Sequence, residues 1–136
     1  MHEFHTRRKV EFVDTDMEGI VHFSRFMVYM ETAEHEFLET LGTRVATNLD
    51  GRKIGWPRVA VSCNYKAPAR FGDVLDIRLV VRRKGNKSMT YGFEFTRDGE
   101  ALANGEVTSV CCELSENMRA IPIPAFIADQ IEETPR

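Results

Sequence analysis

One long stretch of the chain has a helical period, and it limits the folds open to the rest. Phe23, Phe26, Met27, Met30, Ala33, Phe37, Leu38 and Leu41 recur at i, i+3, i+4 and i+7 spacing. That spacing puts them on one face of a helix and predicts that the face is buried. The predicted helix runs from about His22 to Leu41 and stops at Gly42, a residue suited to the backbone just past a helix end. Downstream the apolar period falls to two. Val59, Val61, Cys63 and Tyr65 share a face, as do Leu75, Ile77, Leu79 and Val81, and then Met89, Tyr91, Phe93 and Phe95. Pro68 with Gly72-Asp73, then Gly85-Asn86, then Asp98-Gly99 separate these runs as turns, and a further strand is expected within Ala101 to Leu114. Gly92 and Gly105 interrupt strand runs and are expected to mark bulges. Upstream, Arg7 to Val13 also alternates. One long helix among strands joined by turns is an α+β chain, an antiparallel sheet wrapped round a central helix.

The chemistry concentrates where the first strand gives way to that helix, at Asp14-Thr15-Asp16-Met17-Glu18-Gly19-Ile20-Val21-His22-Phe23. The first N–H groups of a helix carry partial positive charge and lack an intrahelical acceptor, so they can hold an oxyanion or a polarised carbonyl. A carboxylate beside them can attack that carbonyl or deprotonate a water. Asp before a helix is also a common turn or cap residue, and pattern alone leaves both roles open for Asp14 and Asp16. Gly19 fits a tight crossing that needs either positive φ or close approach to a ligand. His22 stands either against a substrate or in water at the first turn.

On the helix, Glu34 falls within the apolar stripe, where a charge is costly unless paired. A basic partner across a subunit contact is the expectation. Glu31 lies at the stripe's edge. From Gly42 to Pro57 the chain is polar and reads as an irregular loop, with Trp56 at its end as a pocket wall or as core packing. His2 and His5 sit in a terminus expected to be loose. A short helix is expected within Ala125 to Glu133.

A chain of 136 residues, 43% hydrophobic and 29% charged, suits a single domain over residues 1–136 with one core. Its net charge of -3 argues against nucleic acid as a partner. No apolar run is long enough to cross a bilayer, and Met1-His2-Glu3-Phe4-His5 lacks a signal-peptide core, so a cytoplasmic protein with no membrane partner is expected. Cys63, Cys111 and Cys112 make an odd set without metal spacing, hence free packing thiols and no metal site. The sequence contains no G-x-S-x-G elbow, P-loop or G-x-G-x-x-G.

The D-x-D-x-x-G-[IV]-V element at Asp14 to Val21 and an aromatic-rich helix containing Glu31 resemble the hotdog-fold acyl-CoA thioesterases of the 4-hydroxybenzoyl-CoA thioesterase-like branch. The likeness continues through Tyr65-Lys66-Ala67-Pro68-Ala69-Arg70-Phe71-Gly72-Asp73-Val74-Leu75 and Arg119-Ala120-Ile121-Pro122-Ile123-Pro124, so it spans nearly the whole chain. The resemblance implies hydrolysis of an acyl-CoA thioester without a metal or prosthetic group, coenzyme A being part of the substrate. Asp16 would be nucleophile or general base, and the turn at Gly19 with the N–H near Phe23 would polarise the carbonyl. Val21, His22 and Trp56 would line the substrate site, with Glu31 and Glu34 as second candidates for the carboxylate. It also implies a homodimer or homotetramer. A non-catalytic acyl-CoA-binding module stays open as an alternative. A hydratase or dehydratase of acyl thioesters is the other, although His22-Phe23-Ser24 lacks the proline pattern of the hotdog dehydratases.

Arg82-Arg83-Lys84-Gly85-Asn86-Lys87 is the densest positive run and falls on a predicted hairpin. Charged hairpins are ordinarily just solvated. Within the resemblance, Arg82, Arg83, Lys84 and Lys87 would meet the phosphates of coenzyme A, often on the subunit opposite the catalytic Asp.

Overall fold

The computed structural model describes residues 1–135. In chain order its elements are β1 (Glu3–Lys9), α1 (Arg25–Thr40), β2 (Ala46–Leu49), β3 (Arg52–Gly55), β4 (Arg58–Tyr65), β5 (Val74–Lys84), β6 (Ser88–Arg97), β7 (Glu100–Val110), β8 (Cys112–Glu113), β9 (Arg119–Ala120) and α2 (Ala125–Ala128). A five-stranded antiparallel sheet of order β1-β5-β6-β7-β4 carries α1 on one face, and a smaller sheet joins β2, β3, β8 and β9. This is the expected helix wrapped by an antiparallel sheet.

The register explains the alternation. Cross-strand rows such as Phe4-Leu79-Phe93-Gly105-Cys63 and Val81-Tyr91-Val107-Val61 lie side by side across the sheet. Their large members on β5 and β6 are fully buried against Phe26, Met30, Phe37 and Leu38 of α1. Gly92 and Gly105 pair in register and mark no bulge. The irregularities lie instead between Arg58 and Ala60, Val81 and Arg83, and Phe95 and Thr96. Gly105 has a different reason: a Cβ there would stand 2.7 Å from both Met30 Sδ and Ser62 O, so its missing side chain admits the helix.

Three expected element bounds are also corrected. The first strand is Glu3–Lys9, with His5 paired opposite Arg78, and residues 12–14 form a 3₁₀ turn. Phe12 and Val13 extend the apolar alternation in sequence but face solvent, because the Glu11 N–H bonds back to Asp14 Oδ2 (2.9 Å) and curls the chain. Within 42–57 a short hairpin, β2–β3, replaces the irregular loop, turning at Asp50-Gly51 where both residues have positive φ. The helix begins at Arg25, since Arg25 N–H donates to His22 O (2.9 Å) in a tighter turn than the regular helix.

Glu34 is fully buried and meets Arg58 Nη2 at 3.1 Å, so its basic partner comes from β4 of the same chain and not from across a subunit contact. Desolvation pushes its pKa up to about 7 despite the opposing pull of Arg58. The three cysteines are free thiols, two of them buried. No helix among the described residues is long and apolar enough to cross a membrane.

Candidate active site

The Asp14 to Phe23 stretch is tied down almost residue by residue. Asp14, buried, accepts the Glu11 N–H and lies 3.5 Å from Arg25 Nε, while its carbonyl accepts the His22 N–H (2.8 Å). Asp16 O accepts the Gly19 N–H (3.0 Å) and Asp16 N–H donates to Ile20 O (2.9 Å), closing a turn in which Gly19 has φ +81. A Cβ on Gly19 would meet no protein atom within 4 Å, so within the chain it is the positive φ that calls for glycine there.

The second shared segment serves the first. Ala69 O accepts the Val21 N–H (2.8 Å), and Val10 N–H donates to Asp73 O (2.8 Å). Asp73 Oδ2 accepts the Arg70 N–H (2.8 Å) and Arg97 Nη1 (2.7 Å). Burial alone would raise the Asp73 carboxyl, but these donors hold it below the usual carboxylate range. The P-A-x-x-G-D run is thus a brace behind the Asp16 turn.

A cleft of about 460 Å³ opens between them, lined by Asp16, Glu18, Ile20, Val21, Phe23, Phe26 and Tyr65 through Ala69. Asp16 is half-buried on its wall, with Oδ1 accepting the Glu18 N–H at 2.9 Å and Oδ2 without a hydrogen-bond partner among the described residues. Phe23 stands just before α1, and its N–H likewise has no acceptor among the described residues. Asp16 also borders a second cleft with Phe12, Thr15, Met17, Gly19 and Phe71, where Phe12 and Phe71 meet edge to face. A cleft lined by a carboxylate and by a residue with an unpaired N–H just before a helix has the groups needed to attack or hydrate a carbonyl and, if that N–H opens on the cleft, to stabilise the oxyanion that results.

The other expected site residues divide. Val21 lines the cleft, but His22 is not among the residues of either cleft; its Nδ1 accepts the Ser24 N–H (3.2 Å) and with it the Ser24 Oγ hydroxyl (2.7 Å). Trp56 is a core residue and borders none of these clefts, so its packing alternative is the one realised. Glu31 lies on a separate apolar cleft with Met27, Val28, Arg58, Val61 and Val107, and the buried Glu34 forms part of its floor. Lys84 is spent within the chain, Nζ donating to Ala128 O (2.6 Å) and Ile131 O (2.9 Å). Arg83 and Lys87 are exposed at the β5–β6 hairpin, while Arg82, also exposed, lies back over Gly92 of β6. Ser88 at that hairpin pairs with Val110, beside Ser109 and Arg58, whereas the Asp16 cleft lies at the Tyr65 end of β4. At about 3.3 Å per residue the eight residues of β4 separate the two by over ~20 Å. One chain does not bring Asp16 and the tip of the basic hairpin, with Arg83 and Lys87, together, although Arg82 shares a neighbouring cleft with Lys66 of the Asp16 cleft wall.

Tyr65, Phe26, Lys66 and Pro68, which the sequence places on a strand face, a helix face and a turn but not at the site, all line the cleft. The available signal was the inner-face alternation Val59-Val61-Cys63-Tyr65, which runs straight to the cleft wall.

The profile of the thioesterase-like superfamily matches residues 10–131. The chain belongs to that superfamily. It is by family a thioester hydrolase, and the expectation of a hotdog-fold member of the 4-hydroxybenzoyl-CoA thioesterase-like branch is met. It is 31% identical over 121 residues to a 1,4-dihydroxy-2-naphthoyl-CoA hydrolase of Synechococcus sp. strain CC9605, covering 85% of this chain and 81% of the relative. The structure of a gentisyl-coenzyme A thioesterase superposes with TM-score 0.78 at 34% identity, over 92% of this chain and 95% of that one. A 1,4-dihydroxy-2-naphthoyl-CoA thioesterase from Synechocystis has the same fold, with TM-score 0.79 at 23% identity, covering 93% and 96% of the two chains.

Proposed function

We propose that this thioesterase-family protein hydrolyses an acyl-CoA thioester to the free acid and coenzyme A, with Asp16 as nucleophile or general base and the Phe23 N–H holding the carbonyl oxygen. The observation that carries the reading is that Asp16 and Phe23, whose N–H has no acceptor among the described residues, line one cleft at the start of α1. The superfamily match and the coenzyme A thioesters named for its relatives support the leaving group. No step in the proposed reaction calls for a metal or prosthetic group.

The same reading includes a homodimer. β4 is an edge strand of the large sheet, and Val59 and Val61 on it are more than half exposed. An unpaired apolar edge is a surface that a second copy can close. Antiparallel pairing of two β4 strands about their middle sets the Tyr65 end of one against the Arg58 end of the other. That would bring the partner's basic hairpin toward the Asp16 cleft, where the phosphates of coenzyme A need cations.

Thiol release from a panel of aromatic and aliphatic acyl-CoAs tests the reaction. Turnover of at least one member, lost in Asp16→Asn, is expected; coenzyme A binding with no turnover of any member would establish the binding-module alternative instead.

A further inference from the structure

We propose that the Tyr65 hydroxyl is a positioning group for the reaction, fixing the Phe23 backbone so that its N–H points into the cleft. The inference rests on the thioesterase reading above. Regular helical bonding would send the Met27 N–H to the Phe23 carbonyl, but Met27 N–H donates to Ser24 O (3.1 Å). The Phe23 carbonyl is thereby left outside the helix ladder. Tyr65 Oη, at the last residue of β4, donates to it at 2.8 Å across the mouth of the cleft.

The remaining ties on this stretch stand on either side of Phe23. His22 O accepts the Arg25 N–H, fixing the peptide that carries the Phe23 N–H. Ser24 N–H donates to His22 Nδ1, and Tyr65 holds the carbonyl of that same peptide. Without the hydroxyl, the second peptide loses its carbonyl anchor and the Phe23 N–H loses part of its aim. The Tyr65 ring is itself positioned, with its centroid 5.5 Å from that of Phe26 in an edge contact, and Phe26 stands perpendicular to Phe95. Loss of water around the hydroxyl, with Cys63 beside it, pushes its pKa up to about 12, so it remains a donor across the working range. A preorganised oxyanion donor is useful only if its direction is set before the reaction.

Tyr65→Phe removes the hydroxyl and keeps the ring against Phe26. Because the side chain is 47% exposed, the variant should melt within a few degrees of wild type. With an acyl-CoA that the wild type turns over, kcat should fall by about 5-fold to 50-fold while KM changes by less than about 2-fold. A readout that a packing role would not move is the infrared band of a ¹³C-labelled thioester carbonyl bound to Asp16→Asn. That band should lie below the free-substrate frequency and move back toward it when Tyr65→Phe is added. Unchanged kcat and an unmoved band, or a loss confined to KM, would overturn the positioning role and leave the thioesterase reading standing. Wild-type protein that hydrolyses none of the panel would overturn both.

Discussion

Asp16 and Asp14 are two residues apart and have opposite surroundings, and that contrast separates their roles. Asp16 is half-buried on a cleft with one oxygen free, whereas Asp14 is buried with its carboxylate turned to Glu11 N–H and Arg25. Asp16→Asn should leave the melting temperature and coenzyme A affinity nearly unchanged while lowering turnover by about 10²-fold or more, the scale of losing a positioned base. Asp14→Asn should do the reverse, costing on the order of 1–3 kcal/mol in urea denaturation with a smaller loss of kcat. Wild-type turnover in Asp16→Asn would move the catalytic carboxylate elsewhere, with Glu31 and Glu34 next in line. The D-x-D spacing makes both acids visible in sequence. It does not tell them apart, because which carboxylate faces the cleft is set by the Glu11–Asp14 curl and by the Ala69 carbonyl, far away in the chain, on Val21.

Between elements, the contact of α1 with β7 and β4 is the most sharply constrained. Gly105→Ala would place a methyl against Met30 Sδ and the Ser62 carbonyl, and the backbone oxygen cannot swing aside as a side chain can. A loss of about 1–3 kcal/mol is expected in denaturant melts, and Met30→Ala added to it should recover less than full stability, since only one of the two contacts is relieved. Glu34 and Arg58 join the same elements by charge. Desolvation raises the folded pKa of Glu34 above its ordinary value, so the folded protein keeps a proton that the unfolded chain has released. Its contribution is full below about pH 4.5 and is lost as pH rises toward about 7. Between pH 5 and 7.5 wild-type stability should therefore fall by on the order of 1–3 kcal/mol relative to Glu34→Gln, and parallel pH profiles of the two proteins would refute this. The strands and α1 were legible because side-chain period alone reports them. The first strand was displaced because Phe12 and Val13 continue its pattern while lying on a solvent-facing turn, and β2–β3 was hidden because Asn48, Arg52 and Lys53 give it no apolar period. Glu34 was legible as a paired buried acid, but Arg58 as its partner depends on the antiparallel run of α1 against β4.

At the scale of the whole molecule, the distance between the cleft and the hairpin tip is what the proposed dimer would bridge. Sedimentation should give at least a dimer at micromolar concentration, and an active monomer would remove the reason for a shared site. A stronger test uses the charges, because the structure has reduced the four expected cations to three. Lys84 holds the carbonyls of Ala128 and Ile131, so its removal would loosen the C-terminal segment and confuse binding with stability. Arg82, Arg83 and Lys87 are exposed, and Gln at all three positions should leave the melting temperature nearly unchanged. Each exposed contact with a phosphate is worth roughly 0.2–1 kcal/mol, so the triple variant should raise KM for acyl-CoA by about 3-fold to 100-fold, and less at high salt. The matching acyl thioester of pantetheine carries none of those phosphates, and its KM should not move. A rim contact is made equally in ground and transition states, so kcat should be unchanged with either substrate. Mixing the triple variant with Asp16→Asn then places the contact: if the cations act across the subunit boundary, a heterodimer holds one cleft with intact Asp16 and an intact partner hairpin, and it alone should recover wild-type KM. Cations acting within their own chain would leave the mixture at the elevated KM of the triple variant.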